Sequence, residues 1–169
     1  PYAHITSIEG PIEGMEYPMI TFCPRAPARE DRQWVLAHEL GHQWVPMIVG
    51  SNERLYPWMD EGFNTFIDLG NAARYFTGTA YGDSIEVHPL HLYADHAVPG
   101  KEQPLSTRPV ESHDLFWTAY QKPALMMQTL RYEVLGKERF DAAFRAYLRT
   151  WAFKHPTPAD FFRLMRDLS

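Results

Sequence analysis

The alternation of hydrophobic and polar residues predicts a short β element at the start of the chain, followed by helices. Residues 2–9 and 17–23 are rich in β-branched and aromatic side chains, and a turn-forming segment around Gly14 separates them. They are predicted to form two short strands joined by an irregular turn. Pro18 has no backbone N–H to donate, so the second strand is predicted to begin at a sheet edge.

From Glu30 onward, the apolar side chains recur every three or four residues, which predicts a helix that ends or kinks at Pro46. A second helix is predicted to begin near Pro57, because proline is tolerated in a first turn, and to run toward Tyr75. Loops are predicted over 78–82 and 98–113, and further helices over 83–96, 116–135, 137–152 and 158–168. The whole pattern predicts a predominantly helical α+β fold with a small N-terminal β element.

Composition narrows the possible functions. The 169 residues predict a single domain, and a hydrophobic share of 45% is enough to fill its core. A net charge of −5, with acidic and basic residues interspersed, argues against a nucleic-acid-binding surface. No apolar run is long enough to span a membrane. Cys23 is the only cysteine, so no internal disulfide and no thiolate metal cluster is possible, and the compartment stays open.

Candidate chemistry begins with the sequence His38-Glu39-Leu40-Gly41-His42. Residues four apart lie on one face of a helix, so His38 and His42 can present two imidazoles to a single divalent cation. Glu39 is close enough to reach a metal-bound water. Chance would produce this pattern in roughly one such chain in forty, so a zinc site needs further support.

Glu61 offers the third protein ligand that a catalytic zinc site requires. Eighteen residues separate it from His42, which is enough for a connector and the start of a second helix packed across the first. Aromatic residues surround it in the sequence, and a buried carboxylate needs a partner. The alternative is a solvated or salt-bridged helix residue, but the two histidines upstream favour the ligand.

These residues resemble the aminopeptidase N-like zinc metallopeptidases of the gluzincin group. The resemblance rests on His-Glu-x-x-His, the spacing to Glu61, and Asp60-Glu61-Gly62-Phe63-Asn64, where the family usually has Asn-Glu-Gly-Phe-Ala. It implies a thermolysin-like catalytic domain. It also implies one Zn²⁺ per chain bound by His38, His42 and Glu61, with Glu39 as the general base.

A second motif lies upstream of the zinc helix. Glu13-Gly14-Met15-Glu16-Tyr17 occupies the place of the family's Gly-Ala-Met-Glu-Asn, and Met15 and Glu16 match it. By the resemblance, Gly14, Met15 and Glu16 bind substrate, and Glu16 pairs with its free α-amino group. The alternative for Glu16 is an exposed turn glutamate.

A third motif, Tyr120-Gln121-Lys122-Pro123, resembles the family's Tyr-x-Lys-Gly or Tyr-x-Lys-Pro. The resemblance implies that the Tyr120 hydroxyl stabilises the tetrahedral oxyanion, a task that suits a neutral donor. The alternative is a core or surface tyrosine, since the chain has nine tyrosines. Lys122 is expected to be structural.

Family members carry a β-rich domain before this segment and further domains after it. Residues 1–169 are therefore expected to be one catalytic domain, and a fragment of a larger multidomain peptidase. Whether the fragment is active by itself stays open, as do oligomeric state and the preferred N-terminal residue.

The leading hypothesis is a zinc aminopeptidase that acts on peptides with a free N-terminus. A thermolysin-like endopeptidase would use the same metal and base without an amine anchor. A non-catalytic interaction module with a peptidase fold is the third possibility. Such modules usually lose metal ligands or the base, whereas this chain keeps them.

Overall fold

The computed structural model of the protein describes residues 4–25, 29–75, 93 and 102–168. The predicted loop at 78–82 lies outside the described residues. So does the predicted helix at 83–96, apart from Tyr93, which is helical. The described chain is helix-rich with one small sheet, and the predicted α+β class is confirmed.

The N-terminal sheet has three strands, one more than predicted. Strands β1 (Thr6–Gly10), β2 (Met15–Tyr17) and β3 (Ile20–Pro24) lie in the order β1-β3-β2. The central strand β3 runs parallel to β1 and antiparallel to β2. The prediction of one strand over 17–23 was wrong at its start. Pro18 and Met19, the latter at a φ of 68°, form a turn that separates β2 from β3.

Helix α1 (Arg29–Gly41) packs against the sheet and ends earlier than predicted. It stops five residues before Pro46, although the N–H of His42 still donates to the carbonyl of His38 at 3.2 Å. The N–H of Gln43 then donates to the Leu40 carbonyl at 3.1 Å, which tightens the final turn. Because that last i to i−4 bond forms, His38 and His42 keep their helical stacking.

Helix α2 (Glu61–Tyr75) crosses α1 and starts later than predicted. A single 3₁₀ turn, Pro57–Met59, precedes it. The proline therefore starts the 3₁₀ turn rather than the helix, and Glu61 becomes the first residue of α2. This places the predicted third ligand at the end of the helix that faces α1.

Helix α3 has three continuous parts, with π-helical segments Phe116–Gln121 and Leu130–Val134 on either side of the α-helical Lys122–Thr129. Pro123 has no N–H to donate to Ala119, and a proline ring crowds the carbonyl four residues before it. The wider turn accommodates this, and the N–H of Lys122 bonds to the Trp117 carbonyl five residues back. Sequence periodicity predicted the helix and not the π turns.

Helices α4 (Lys137–Thr150) and α5 (Pro158–Leu168) close the described chain, near the predicted bounds. They pack with α2 and α3 around an aromatic core. The core is centred on Phe63, Phe140, Phe144, Tyr147 and Phe161, all of which except Phe144 are fully buried. None of the helices in the described part of the chain combines the length and apolar character needed to cross a membrane.

Candidate metal centre and active site

Three of the predicted site residues converge where α1 meets the start of α2. His38 Nε2 lies 3.1 Å from Glu61 Oε2, and His42 Nε2 lies 3.2 Å from the same oxygen. The two histidine nitrogens are 3.2 Å apart. The structure thus brings together side chains that are separated by up to 23 residues in the sequence.

The spacing of these three atoms fits a tetrahedral zinc ion. Zinc binds imidazole nitrogen and carboxylate oxygen at about 2.0–2.1 Å, which sets neighbouring ligand atoms about 3.3 Å apart. The triangle of His38, His42 and Glu61 has nearly that edge length on every side. Two neutral imidazoles and one carboxylate also match the ligand types of catalytic zinc sites, which keep a fourth position open.

The second nitrogen of His38 is held by groups on α2. Its Nδ1 lies 2.7 Å from Oδ2 of the buried Asp68. The Asn64 amide donates to the His38 backbone carbonyl at 2.7 Å. A histidine whose far nitrogen is bound in this way has a fixed ring orientation, and here that orientation aims Nε2 at the centre.

The second nitrogen of His42 lies between two oxygens. Its Nδ1 is 2.8 Å from the Val45 carbonyl and 2.9 Å from Asp60 Oδ1. The hydrogen-bond direction favours the carbonyl, because Asp60 Oδ1 has no aligned donor among the described residues. The buried Asp60 carboxylate still contributes negative charge at this distance.

The charges of the three ligands are coupled. Burial disfavours the charged imidazole of His38, but bonds to Asp68 and Glu61 outweigh burial and raise its pKa to about 9. Burial likewise disfavours charge on His42, and its interactions with Asp60 and Glu61 raise its pKa to about 11. Burial would raise the pKa of Glu61, yet the two histidines hold it down at about 2. Together these interactions favour the protonated imidazoles and the ionised carboxylate.

Glu39 faces the same space from α1. Its side chain is only 4% exposed, and its Oε2 has no hydrogen-bond partner among the described residues. Burial raises the pKa of its carboxyl to about 7, despite the opposing charges of His38 and His42. A buried carboxyl that titrates near neutrality suits a group that takes and returns a proton.

Strand β2 brings the second predicted motif to this space. Glu16, half-buried, is the middle residue of β2, and one of its carboxylate oxygens lies within 4.8 Å of ligand atoms of Glu39 and His42. Gly14 lies against Glu39, where a Cβ would be 2.1 Å from Glu39 Oε1, so this close approach requires glycine. Met15 is 42% exposed beside it.

The third motif reaches the centre from the π-helical part of α3. The Tyr120 hydroxyl donates to Glu61 Oε1 at 2.7 Å, and its ring stacks on the His38 ring at a centroid distance of 5.9 Å. Burial and the charge of Glu61 raise the pKa of the phenol, which keeps it a neutral donor. Lys122 points elsewhere: its ammonium donates to the Gln103 carbonyl at 2.7 Å and pairs with Glu102 at 2.7 Å.

Sequence reasoning missed several residues of the site. Asn64 and Asp68 lie one and two turns along α2 from Glu61, so helical spacing from the predicted third ligand could have indicated them. Nothing in the sequence marked Glu53, whose carboxylate approaches those of Glu16 and Asp60 within 4.8 Å. Burial and the charge of Glu16 raise the pKa of Glu53. Gln43 also carried no signal, although it is fully buried beside His42.

Comparison with known proteins identifies the family of the chain. Residues 21–169 match the peptidase family M1 domain. The chain is 29% identical over 171 residues to leucine aminopeptidase 2 of Emericella nidulans, a match that covers 93% of this chain and 26% of that protein. It is 28% identical over 161 residues to aminopeptidase B of Rattus norvegicus, a match that covers 89% of this chain and 25% of that protein. The chain therefore spans about a quarter of the length of these curated relatives.

The fold also has solved counterparts. A crystal structure of an M1 zinc metallopeptidase from Deinococcus radiodurans superposes with a TM-score of 0.77 at 24% identity, covering 97% of this chain and 36% of that one. At this identity the likeness establishes the fold. Together with the family match over most of the sequence, it shows that the chain belongs to peptidase family M1, a family of metallopeptidases.

Proposed function

We propose that this chain supplies the zinc centre and catalytic base of an aminopeptidase that removes the first residue from peptides with a free N-terminus. The observation that carries the proposal is the triangle of His38, His42 and Glu61. Beside it lies Glu39, whose Oε2 has no hydrogen-bond partner within the described part of the chain. Family membership supports the reaction class, and the position of Glu16 supports the restriction to N-termini.

Zinc held by His38, His42 and Glu61 would act as a Lewis acid on the scissile carbonyl and would lower the pKa of the attacking water. Glu39 would accept the proton of that water at its free Oε2 and return it to the leaving amine. The Tyr120 hydroxyl would donate to the oxyanion that develops on the carbonyl oxygen. Glu16 would pair with the substrate ammonium and leave only the first peptide bond in reach of Glu39.

The first experiment compares the full-length protein with its Glu39→Gln variant after zinc loading. We expect one zinc per chain in both proteins, because Glu39 is not a ligand. Hydrolysis of an unblocked peptide should fall by about 10²- to 10⁴-fold in the variant, since glutamine cannot accept the proton. Metal analysis and initial rates measure the two quantities, and Glu138→Gln, at an exposed position on α4, is the matched control.

The same preparation tests whether Glu16 anchors the amine. The wild-type protein should cleave a free peptide and leave its N-acetylated counterpart intact. Equal cleavage of both peptides would point to a thermolysin-like endopeptidase. A zinc-free protein, or one that cleaves neither peptide at any metal load, would contradict the enzymatic proposal itself.

A further inference from the structure

Gln43 connects the metal-binding helix to the strand that carries the proposed amine anchor. Its side chain is fully buried, and both ends of the amide are in use. The Oε1 atom accepts a hydrogen bond from the Met19 backbone N–H at 2.8 Å, and the Nε2 group donates to the Tyr17 carbonyl at 2.9 Å. The amide satisfies this pair of partners, because it combines a donor and an acceptor in one plane.

One partner, Tyr17, ends β2, and the other, Met19, lies in the turn between β2 and β3. This turn contains Pro18 and the left-handed backbone of Met19, and β2 itself has only three residues. Within the sheet, β2 is an edge strand that pairs with β3 alone. So short an edge strand has few bonds to fix its tilt, and the bonds to Gln43 therefore bear directly on where β2 lies.

The sequence positions of Gln43 and Tyr17 place their hydrogen bond between the candidate metal centre and the proposed amine anchor. Gln43 follows the predicted ligand His42 directly, and Tyr17 follows Glu16 directly. The hydrogen bond from Gln43 to Tyr17 thus ties a neighbour of the metal centre to a neighbour of the anchor.

We propose that Gln43 is a positioning residue that sets the distance between the Glu16 carboxylate and the metal centre, and thereby selects the first peptide bond for cleavage. An extended peptide advances about 3.3 Å per residue, so a displacement of β2 by a fraction of that length moves the scissile carbonyl away from Glu39. This inference rests on the proposed function and adds the residue that makes the anchor effective.

The test measures inhibitor binding to the zinc-loaded full-length protein, using an amino-acid hydroxamate and its N-acetylated counterpart. The ratio of the two affinities reports the contribution of the amine anchor. Gln43→Glu keeps the acceptor for Met19 but replaces the donor to Tyr17 with a carboxylate oxygen. We expect the ratio to fall at least fivefold, while the affinity for the acetylated compound and the zinc content change less than twofold.

Three comparisons make the result specific. Gln43→Met removes both hydrogen bonds without adding charge and should give the same fall in the ratio. Gln128→Glu makes the same chemical change at a buried glutamine on α3, away from β2, and should leave the ratio as in wild type. Gln43→Glu combined with Glu16→Gln should lower the ratio no further than Glu16→Gln alone, because Gln43 acts through Glu16.

The outcomes separate this inference from the function on which it rests. A wild-type ratio near one would show that no amine anchor exists and would overturn both. A large wild-type ratio that persists in the Gln43 variants would overturn the role of Gln43 and leave the proposed function intact. The same would follow if the double variant lowered the ratio by the sum of the two single effects. Failure of both Gln43 variants to fold would likewise overturn that role, because the side chain would then serve the fold rather than the spacing.

Discussion

At the scale of single residues, Tyr120 must exchange its hydrogen-bond partner during the proposed reaction. In the structure its hydroxyl donates to Glu61 Oε1 at 2.7 Å. Its position beside the metal centre lets the same hydroxyl turn toward an oxyanion. A side chain that makes its productive bond only in the transition state contributes to kcat and little to KM.

Tyr120→Phe should therefore lower kcat by about 10²- to 10³-fold in the full-length protein, with KM and zinc content close to those of the wild type. Steady-state kinetics on an unblocked peptide measures the first two quantities, and metal analysis measures the third. Tyr75→Phe removes a hydroxyl from an exposed tyrosine and serves as the control. An unchanged kcat in Tyr120→Phe would refute the oxyanion role.

At the scale of secondary-structure elements, the crossing of α1 and α2 positions the ligands. The helices approach closely at Gly41, where an added Cβ would lie 2.1 Å from Asn64 Oδ1. Asn64 is fully buried and also donates to the His38 carbonyl. The contact between Gly41 and Asn64 thus fixes the position of His38 and His42, at the end of α1, relative to Glu61 on α2.

Gly41→Ala should destabilise the protein, because the methyl group would displace the fully buried side chain of Asn64. Overpacking of this kind costs about 1–3 kcal/mol in the free energy of unfolding. Gly70→Ala on α2 is the matched control, since an added Cβ there meets nothing within 4 Å. It should instead stabilise the helix by about 0.5–1 kcal/mol. Denaturant unfolding measures the free energy of unfolding of both variants. Equal changes in Gly41→Ala and Gly70→Ala would contradict the close approach at Gly41.

At the scale of the whole molecule, the proposed metal binding would be coupled to proton release. In the metal-free chain, the pKa values of His38 and His42 are about 9 and 11, above the ordinary value of 6.5. Their protonated forms therefore stabilise the metal-free fold below about pH 6.5, and this contribution is lost as the pH rises through 9 and 11. Zinc needs the neutral imidazoles, so it competes with these protons.

The apparent zinc affinity should consequently rise with pH between 6 and 8, by about tenfold per pH unit for each proton displaced. Chelator competition across this range, together with calorimetry in buffers of different ionisation enthalpy, measures the affinity and the protons released. Replacing His38 with alanine should abolish stoichiometric binding at every pH. A pH-independent affinity in the wild-type protein would contradict the proton-bound state of the metal-free site.

The family match confirmed the resemblance inferred from local motifs, and the fold comparison confirmed the predicted class. These features could be predicted because they depend on short-range regularities. Two histidines one helical turn apart share a face in any helix, and helical periodicity also located the helices that close the chain. The third strand and the π turns were missed, since Pro18 and Pro123 act through backbone geometry that hydrophobic patterning does not record.

The sequence by itself therefore determined the metallopeptidase family, and its motifs predicted the residues of the candidate site: two ligands and a base on one helix, a third ligand on the next, an anchor and an oxyanion donor. Only the tertiary structure decided how these groups are held. Asp68 orients His38 from 30 residues away, and Gln43 reaches Tyr17 across 26. Such partners meet because helices and strands pack at particular angles, and no local pattern encodes a contact over that separation.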